Sequence, residues 1–586
     1  MRLDDPVNPL NVFKGPDSLA QYFNPDQNPL LPLIELPDAL NPLRSDGVRI
    51  FAKMLTALPA QNVKSLPALR MLQHQPDAQH QSIVEASSGS TVLSLAVMAR
   101  VLWGHEDVSG YVTNKKHPDS LRLLRFFGVQ PVLYGGASQQ EPSDAKGIMS
   151  RLRRQAAEDP KICYPGQYDN DHNWKAHEKW TGPQIWKQLP EINVLCATIG
   201  TGGCITGTSA HLKSRKPSVR TIGVCNTFGD PTPGPRHFPG FQTSPFPWKT
   251  AIDSFETVSS ADAFGTSIQL CRHGIIAGPS SGEALAGLLA HLGASKAQGR
   301  LASLGDPSTG EVVCVFICAD LPYQYMDLYF SKLGEGAFPP VCNENLLRCD
   351  VHPYDERWFL DPQQAVSLLL TPRGPDGAET DAGLLLCPSP SACDCDSDGA
   401  SRQDHGLEPC HCRSSAAPAS ATSSTTGRYS GESDGSTAAT SIGGESSSPG
   451  PKQYLDASGT GCWQTPRLID LRPRQAFLAS HVRGSRNLAL PDTREDFYGS
   501  AAAVEGRWDE LNEVLDAERG TWAGEFAADR SGSRVLVVCT DGDSSRMATS
   551  ILRARGHEAV CVEGGYTALA EGIRRVALQT DRRSSM

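Results

Sequence analysis

A lysine in apolar company is a candidate for carbonyl chemistry, and Lys64 is in such company. It follows the apolar run Val48–Leu55, which reads as a strand, and precedes the helical pattern Leu66–Gln73, so it sits on a strand-to-helix turn. Burial disfavours an ammonium and lowers the proton affinity of the amine. An amine so prepared can form a Schiff base with a carbonyl cofactor. Three later stretches hold residue types that suit anions. Glu85-Ala86-Ser87-Ser88-Gly89-Ser90-Thr91 opens the apolar helical pattern Val92–Leu102 and offers hydroxyls and amides at a helix start. Gly200-Thr201-Gly202-Gly203-Cys204 lies between the apolar strand Val194–Ile199 and a helix; its glycines let backbone N–H groups turn toward an anion. Gly278-Pro279-Ser280-Ser281-Gly282 precedes the helix Glu283–Leu292, where position alone makes Ser280 an N-cap.

These four stretches, in this order, resemble the lysine motif, the Thr-Ser-Gly-Asn-Thr loop, the Gly-Thr-Gly-Gly loop and the late Ser-Gly motif of the cysteine synthase family, fold-type II enzymes that use pyridoxal 5'-phosphate (PLP). The resemblance covers roughly residues 25 to 335. It implies that Lys64 binds the cofactor's aldehyde and that Gly200, Thr201, Gly202, Gly203 and Cys204 cradle its phosphate. Ser280 would partner the ring nitrogen, and Ser90 would lie at the ring hydroxyl. Ser87, Ser88, Gly89 and Thr91, with Gln167 in Tyr164-Pro165-Gly166-Gln167, would hold the substrate carboxylate. Two positions depart from the family. Ser90 replaces an asparagine and Cys204 replaces a threonine. Desulfhydrase-like members also depart at the first of these, and Gly223-Val224-Cys225-Asn226-Thr227 and Pro235-Arg236 resemble that subgroup loosely. The resemblance therefore implies β-elimination from L-cysteine, giving sulfide, pyruvate and ammonia. β-Replacement of O-acetylserine by sulfide stands as the alternative. A PLP fold that has lost catalysis and docks a partner enzyme stands as another.

The elements that must position these residues alternate. Strand candidates Ile83–Glu85, Val108–Val112, Val129–Leu133, Val194–Ile199, Val219–Val224 and Val312–Ile317 are separated by helical patterns, which predicts α/β layers with mainly parallel sheets. With 586 residues the chain is too long for one core. An irregular leader is expected over 1–27 and the PLP-dependent domain over 28–345. Residues 371–462 are dominated by Ser, Thr, Gly, Asp and Pro and read as disordered, since they hold too little apolar surface to offset ordering entropy. Cys387, Cys393, Cys395, Cys410, His411 and Cys412 lie there without zinc-finger spacing, so no metal is expected.

Order returns with Arg467-Leu468-Ile469-Asp470-Leu471-Arg472, Ser480-His481-Val482-Arg483-Gly484, the strand Val535–Val538 running into Cys539, and Gly564-Gly565-Tyr566. This pattern resembles a rhodanese domain over 463–586, with Leu360-Asp361-Pro362-Gln363-Gln364-Ala365-Val366 in 346–370 resembling its first helix. The low-complexity stretch is then an insertion within that domain. Loop amides and a helix start are expected to lower the pKa of Cys539 and expose a thiolate. The resemblance makes Cys539 a persulfide carrier, though Ser544 stands where such loops often place arginine. The architecture expected is a two-lobed fold-type II PLP enzyme, tryptophan synthase beta-like, followed by an α/β rhodanese domain. Net charge is -11, with no basic run to suggest nucleic acid, and no apolar stretch is long enough to span a bilayer. Seventeen scattered cysteines and an acidic N-terminus without an apolar core imply a reducing cytoplasm rather than secretion. Expected partners are an amino acid, sulfide or a persulfide, and a second copy in a homodimer.

Overall fold

Long apolar runs set the first sheet: Val312–Cys318 is buried at every position and Val48–Met54 at all but one, as strands covered on both faces must be. The computed structural model describes residues 8–87, 89–116, 118–136, 141–370, 385–387, 467–492, 497–517 and 534–584. Ser88, residues 1–7 of the leader, and Cys393, Cys395, Cys410, His411, Cys412 and nearly all of the low-complexity stretch lie outside them. The chain divides into two compact units, Met1–Pro340 and Val341–Met586.

The described strands of the first unit are β1 (Leu33–Glu35), β2 (Val48–Met54), β3 (Ser82–Glu85), β4 (Val108–Thr113), β5 (Gln130–Tyr134), β6 (Ile162–Cys163), β7 (Val194–Thr198), β8 (Arg220–Asn226), β9 (Ser254–Val258) and β10 (Val312–Cys318). They form two sheets, ordered β1-β2-β10-β7-β8-β9 and β5-β4-β3-β6. Every pairing is parallel except β1 with β2. Parallel strands put all their carboxyl ends on one edge of a sheet, where α/β folds bind ligands. The segments after β2, β10 and β7, which carry Lys64, Asp320 and Gly200–Gly203, are thus neighbours. So are those after β3 and β6, which carry Ser87–Thr91 and Gln167.

The helix Ser65–Gln73 buries Leu66, Ala68, Leu69, Met71 and Leu72, and each fully buried leucine contributes roughly 2 kcal/mol. That packing holds the lysine turn. The leader is not wholly irregular. Ser18–Phe23 is helical, the Phe13 and Tyr22 rings meet edge-on at 5.4 Å, and Asp26 accepts from Lys179 Nζ and Trp180 Nε1, both at 2.8 Å. Edge-on ring contacts and a carboxylate anchor thus order a segment that local propensity leaves open.

In the second unit, strands β11 (Phe359–Leu360), β13 (Arg467–Asp470), β15 (Arg486–Asn487), β16 (Val535–Val538) and β17 (Ala559–Val562) form a parallel sheet ordered β11-β17-β16-β13-β15, and β12 (Leu386–Cys387) pairs antiparallel with β14 (His481–Val482). Phe359–Leu360 thus shares a sheet with strands more than a hundred residues later. Among the described residues no helix is long and apolar enough to cross a membrane.

Candidate functional site

Asn62 builds the lysine turn. Its Oδ1 accepts from Lys64 N at 2.9 Å and from Ser94 Oγ at 3.0 Å, while its backbone bridges to Asp320. Val63 N donates to Ala319 O at 2.7 Å and Gly278 N to Asp320 O at 2.8 Å. Lys64, the end of β10 and the start of the Ser280 helix are therefore stitched together by backbone. Burial lowers the proton affinity of Lys64, opposed by the nearby Cys204 and Asp320. Asp320 is itself buried. Its Oδ2 accepts from Tyr325 Oη at 2.5 Å and Gln324 Nε2 at 3.0 Å, and burial pushes its carboxyl up to about 6 against the pull of Tyr325 and Lys64. His177, driven down to about 3 by burial and then by Lys64, stays neutral. Ser280 is not an N-cap. The helix runs Pro279–Ala297 with Gly278 at the cap, because proline's fixed φ suits the first helical position. Ser280 lies buried in the first turn, and its hydroxyl acts on Asp320.

The two loops of the smaller sheet meet through side chains. Thr91 Oγ1 donates to Gln167 Oε1 at 2.6 Å, and Gln167 Nε2 donates to Ala86 O at 3.3 Å. Glu85, fully buried at the end of β3, accepts from Gly166 N at 3.0 Å and Gln167 N at 3.4 Å. Asn173 then joins this group to the glycine loop, its Nδ2 donating to Gln167 O at 2.6 Å and to Thr201 Oγ1 at 3.0 Å. Gly89 caps the helix Ser90–Trp103, and its N–H faces Ser87 Oγ at 3.4 Å. Ser90 opens that helix and, among the described residues, lies outside this network.

Gly202 caps the helix Gly203–Arg215 with φ +84°, and a Cβ there would lie 2.4 Å from the Phe241 ring. A Cβ on Gly203 would strike the Asn173 side chain. The glycines are thus required by close packing as well as by any anion. Cys204, in the first turn, is pushed up to about 11 by burial, against Lys64 and Thr208, and stays a thiol.

In the second unit Cys539 follows β16. Its Sγ accepts from Gly542 N at 3.1 Å and Ser545 N at 3.3 Å, and approaches Asp541 Oδ1 at 3.5 Å. The exposed thiolate expected from the loop is not found. Cys539 is 5 % exposed, and burial pushes its thiol up against the two amides and the Ser545 hydroxyl, with Asp541 adding to the rise. A small pocket at the sulfur is lined by Leu471, Pro491, Asp492, Thr540, Asp541 and Ser544. Arg546 is not among them; its guanidinium lies 5.1 Å over the Phe359 ring. Asp470 and Arg472 form a buried ion pair at 2.6 Å, and Arg472 lies on the Tyr566 ring, 3.2 Å from its centroid. A Cβ on Gly565 would lie 2.5 Å from Cys539 O, so the Gly-Gly-aromatic motif holds the cysteine loop from below.

Residues 27–304 match the pyridoxal-phosphate dependent enzyme family and residues 450–571 match the rhodanese-like domain. A probable cysteine synthase of Bacillus subtilis is 30% identical over 276 residues, covering 43% of this chain and 83% of that protein. The chain belongs to the cysteine synthase family. Cysteine synthase B of Campylobacter jejuni is 29% identical over 255 residues, 41% of this chain and 82% of its own length. An N-(2-amino-2-carboxyethyl)-L-glutamate synthase of Cupriavidus metallidurans is 28% identical over 263 residues, 42% and 74% of the two chains. This cysteine synthase-family enzyme is PLP-dependent and carries a C-terminal rhodanese-like domain. Its residues fit the cofactor: a lysine of lowered proton affinity stands beside the start of a 13-residue helix behind a glycine turn, which suits a carbonyl compound bearing a phosphate.

Sequence reasoning did not find Asn62, Glu85, Asn173 or Asp320. Glu85 and Asp320 had a signal, an acid standing at or just past the carboxyl end of an apolar strand. Glu85 yields a stability prediction. Burial raises its carboxyl to about 8. Between the unfolded value of about 4.3 and that value the folded chain binds the extra proton, so this group's contribution falls as pH rises through the window and is level above it. Glu85→Gln keeps an acceptor for Gly166 and Gln167 and removes the titration. Urea melts at pH 5 and 8.5 should show the variant losing less stability than the parent; equal losses count against the assignment.

Proposed function

We propose that the first unit eliminates the β-substituent of an amino acid, with L-cysteine as substrate and sulfide, pyruvate and ammonia as products. The reaction balances as cysteine plus water. The observation that carries the shared chemistry is the backbone-stitched group of Lys64, Asp320 and Ser280 facing the glycine loop. PLP, when bound, supplies the electron sink for charge developing at the α-carbon. The Lys64 amine takes the α-proton, its proton affinity already reduced by desolvation. Thr91, Gln167, Ser87, Gly89 and, by its motif position, Ser88 hold the carboxylate, while Glu85 fixes the Gln167 backbone. Gly200, Thr201, Gly202, Gly203 and the Cys204 backbone take the phosphate. Ser280 takes the ring nitrogen, and its neutral hydroxyl leaves that nitrogen free to lose its proton, a milder sink suited to β-loss. Arg236, 3 % exposed, has Nη2 donating to Tyr168 Oη at 3.1 Å and Nη1 3.8 Å from Glu141 Oε2, so its charge is already paired beside the segment that carries Gln167.

The names of the relatives favour the second reading, β-replacement. Ser90 decides between them in our reading, because a serine is shorter than the asparagine of the family and leaves the ring hydroxyl less firmly held. Ser90→Asn should raise cysteine formation from O-acetylserine and sulfide relative to pyruvate release from cysteine, by about tenfold in the ratio for one added polar contact. Product analysis of the pure protein with each substrate set tests both readings. Efficient cysteine formation with no pyruvate release from cysteine sinks the elimination reading.

We propose that the second unit carries sulfane sulfur on Cys539. The Cys539 sulfur attacks the outer sulfur of a persulfide R–S–SH; the S–S bond breaks, R–SH leaves, and Cys539 holds S–SH without any outside oxidant. The twelve described cysteines are all free thiols, in keeping with a reducing cytoplasm. The resemblance carries a homodimer.

A further inference from the structure

Once Lys64 has taken a proton from carbon, its amine is an ammonium inside the site, and a desolvated ammonium needs an opposite charge. Among the described residues, the titratable groups that bear on Lys64 are Cys204, Asp320 and His177. Burial holds Cys204 up at about 11, against Lys64 and Thr208, so it stays a thiol. Burial and then Lys64 drive His177 down to about 3, and its Nδ1 lies 2.8 Å from the Thr181 hydroxyl, so it stays neutral. That leaves Asp320. Burial pushes its carboxyl up to about 6, against Tyr325, Lys64, Gln324 and Ser280, so it is ionised at neutral pH. The phenols of Tyr325 and Tyr329 and the thiol of Cys318, on which Asp320 acts, are raised by burial and carry no charge there.

The backbone around Asp320 is fixed on two sides. It bridges to Asn62, two residues before Lys64, and its carbonyl accepts from Gly278 N at 2.8 Å. Oδ2 is occupied by Tyr325 Oη at 2.5 Å and Gln324 Nε2 at 3.0 Å. Oδ1 is buried and has no partner in hydrogen-bond geometry. It is turned toward the start of the Ser280 helix, where a Cβ on Gly278 would lie 2.6 Å from it. Native proteins leave few buried oxygens unpaired. A carboxylate oxygen left open next to a group that gains a proton during the reaction is in place for the charge that develops.

Taking Lys64 as the base, as above, we propose that Asp320 is a positioning residue that acts through Lys64: its carboxylate holds the ammonium formed when Lys64 takes the α-proton. In that step the α C–H bond breaks, its electron pair stays with the α-carbon, and an N–H bond forms at Lys64 Nζ; the proton then passes to the departing sulfur. Asp320 itself neither gains nor loses a proton. Without its charge, desolvation acts on Lys64 unopposed and the amine is a weaker base.

The full-length chain is stripped of PLP and acetylated in phosphate-free buffers from about pH 5 to 10, and the extent at Lys64 is read by peptide mass spectrometry. Asp320→Asn, which keeps the shape and removes the charge, should lower the Lys64 midpoint by about one pH unit, a roughly tenfold rise in free amine at any pH below it. With PLP restored, the same variant should lower kcat for pyruvate release about tenfold and leave KM within about twofold. In the parent kcat should fall as pH drops through about 6 and Asp320 takes up a proton. Tyr325→Phe removes a donor that favours the carboxylate, so it should move this acid limb to higher pH by about half a unit. An unmoved or raised Lys64 midpoint in Asp320→Asn overturns the proposal. So does an acid limb that stays in place in Tyr325→Phe, and that measurement decides if the asparagine variant does not accumulate. A borohydride-fixed adduct on a lysine other than Lys64 overturns the reading of the base and this proposal with it, whereas an adduct on Lys64 with an unmoved midpoint overturns this proposal alone.

Discussion

Lys64→Ala should abolish the covalent attachment of PLP and lower turnover by about 10³-fold or more, the combined loss of a nucleophile and a positioned base. A second lysine makes this a real test. Lys53, on β2, is 0 % exposed against the half-buried Lys64, and burial lowers its ammonium to about 7. By desolvation alone Lys53 is a rival candidate, since burial lowers both ammonium groups. Its surroundings argue the other way. Lys53 Nζ donates to Leu31 O at 2.8 Å, Gln184 Oε1 at 2.9 Å and Gln188 Oε1 at 2.8 Å, so its three protons are all engaged. Lys64 instead faces Asp320 and the cysteine of the glycine loop. Borohydride reduction followed by peptide mapping should place the adduct on the peptide containing Lys64. An adduct on Lys53, or one that survives in Lys64→Ala, would overturn the assignment.

Cys539→Ser should stop sulfur uptake by the second unit while leaving pyruvate release by the first intact. The parent, treated with a low-molecular-weight persulfide, should gain one sulfur atom by mass at Cys539. The charge around the sulfur sets the donor. Asp492 and Asp541 line its pocket, no Lys or Arg does among the described residues, and Ser544 fills the place of an arginine. Thiosulfate is a dianion, and bringing it beside like charges costs about 1 kcal/mol or more even in high dielectric. Persulfide should therefore outpace thiosulfate by at least about tenfold, and Asp541→Asn should narrow the gap. The thiolate is the nucleophile, and burial holds the Cys539 thiol above the ordinary thiol range. Uptake should thus climb with pH from 7 to 9 without levelling off. A plateau near neutrality, or thiosulfate as the faster donor, counts against this account.

The alternation of apolar runs and helical patterns was enough for the α/β class, because strands covered on both faces must be apolar throughout. The motifs around Lys64, Gly200 and Cys539 were equally legible, since glycine turns and helix starts are local in sequence. Strand order was not. That β10 lies between β2 and β7, and β6 beside β3, is what brings Asp320 to Lys64 and Gln167 to Thr91. No local pattern encodes which strands become neighbours; the shared burial of their faces does. The same holds for charge. The cysteine loop promised a thiolate, and two amides do reach the sulfur, but desolvation by the packed sheet outweighs them. Residue types and spacing determined which groups this protein brings to its sites, while packing alone decided which of them meet and in what protonation state, because both depend on neighbours far away in sequence and on the water those neighbours exclude.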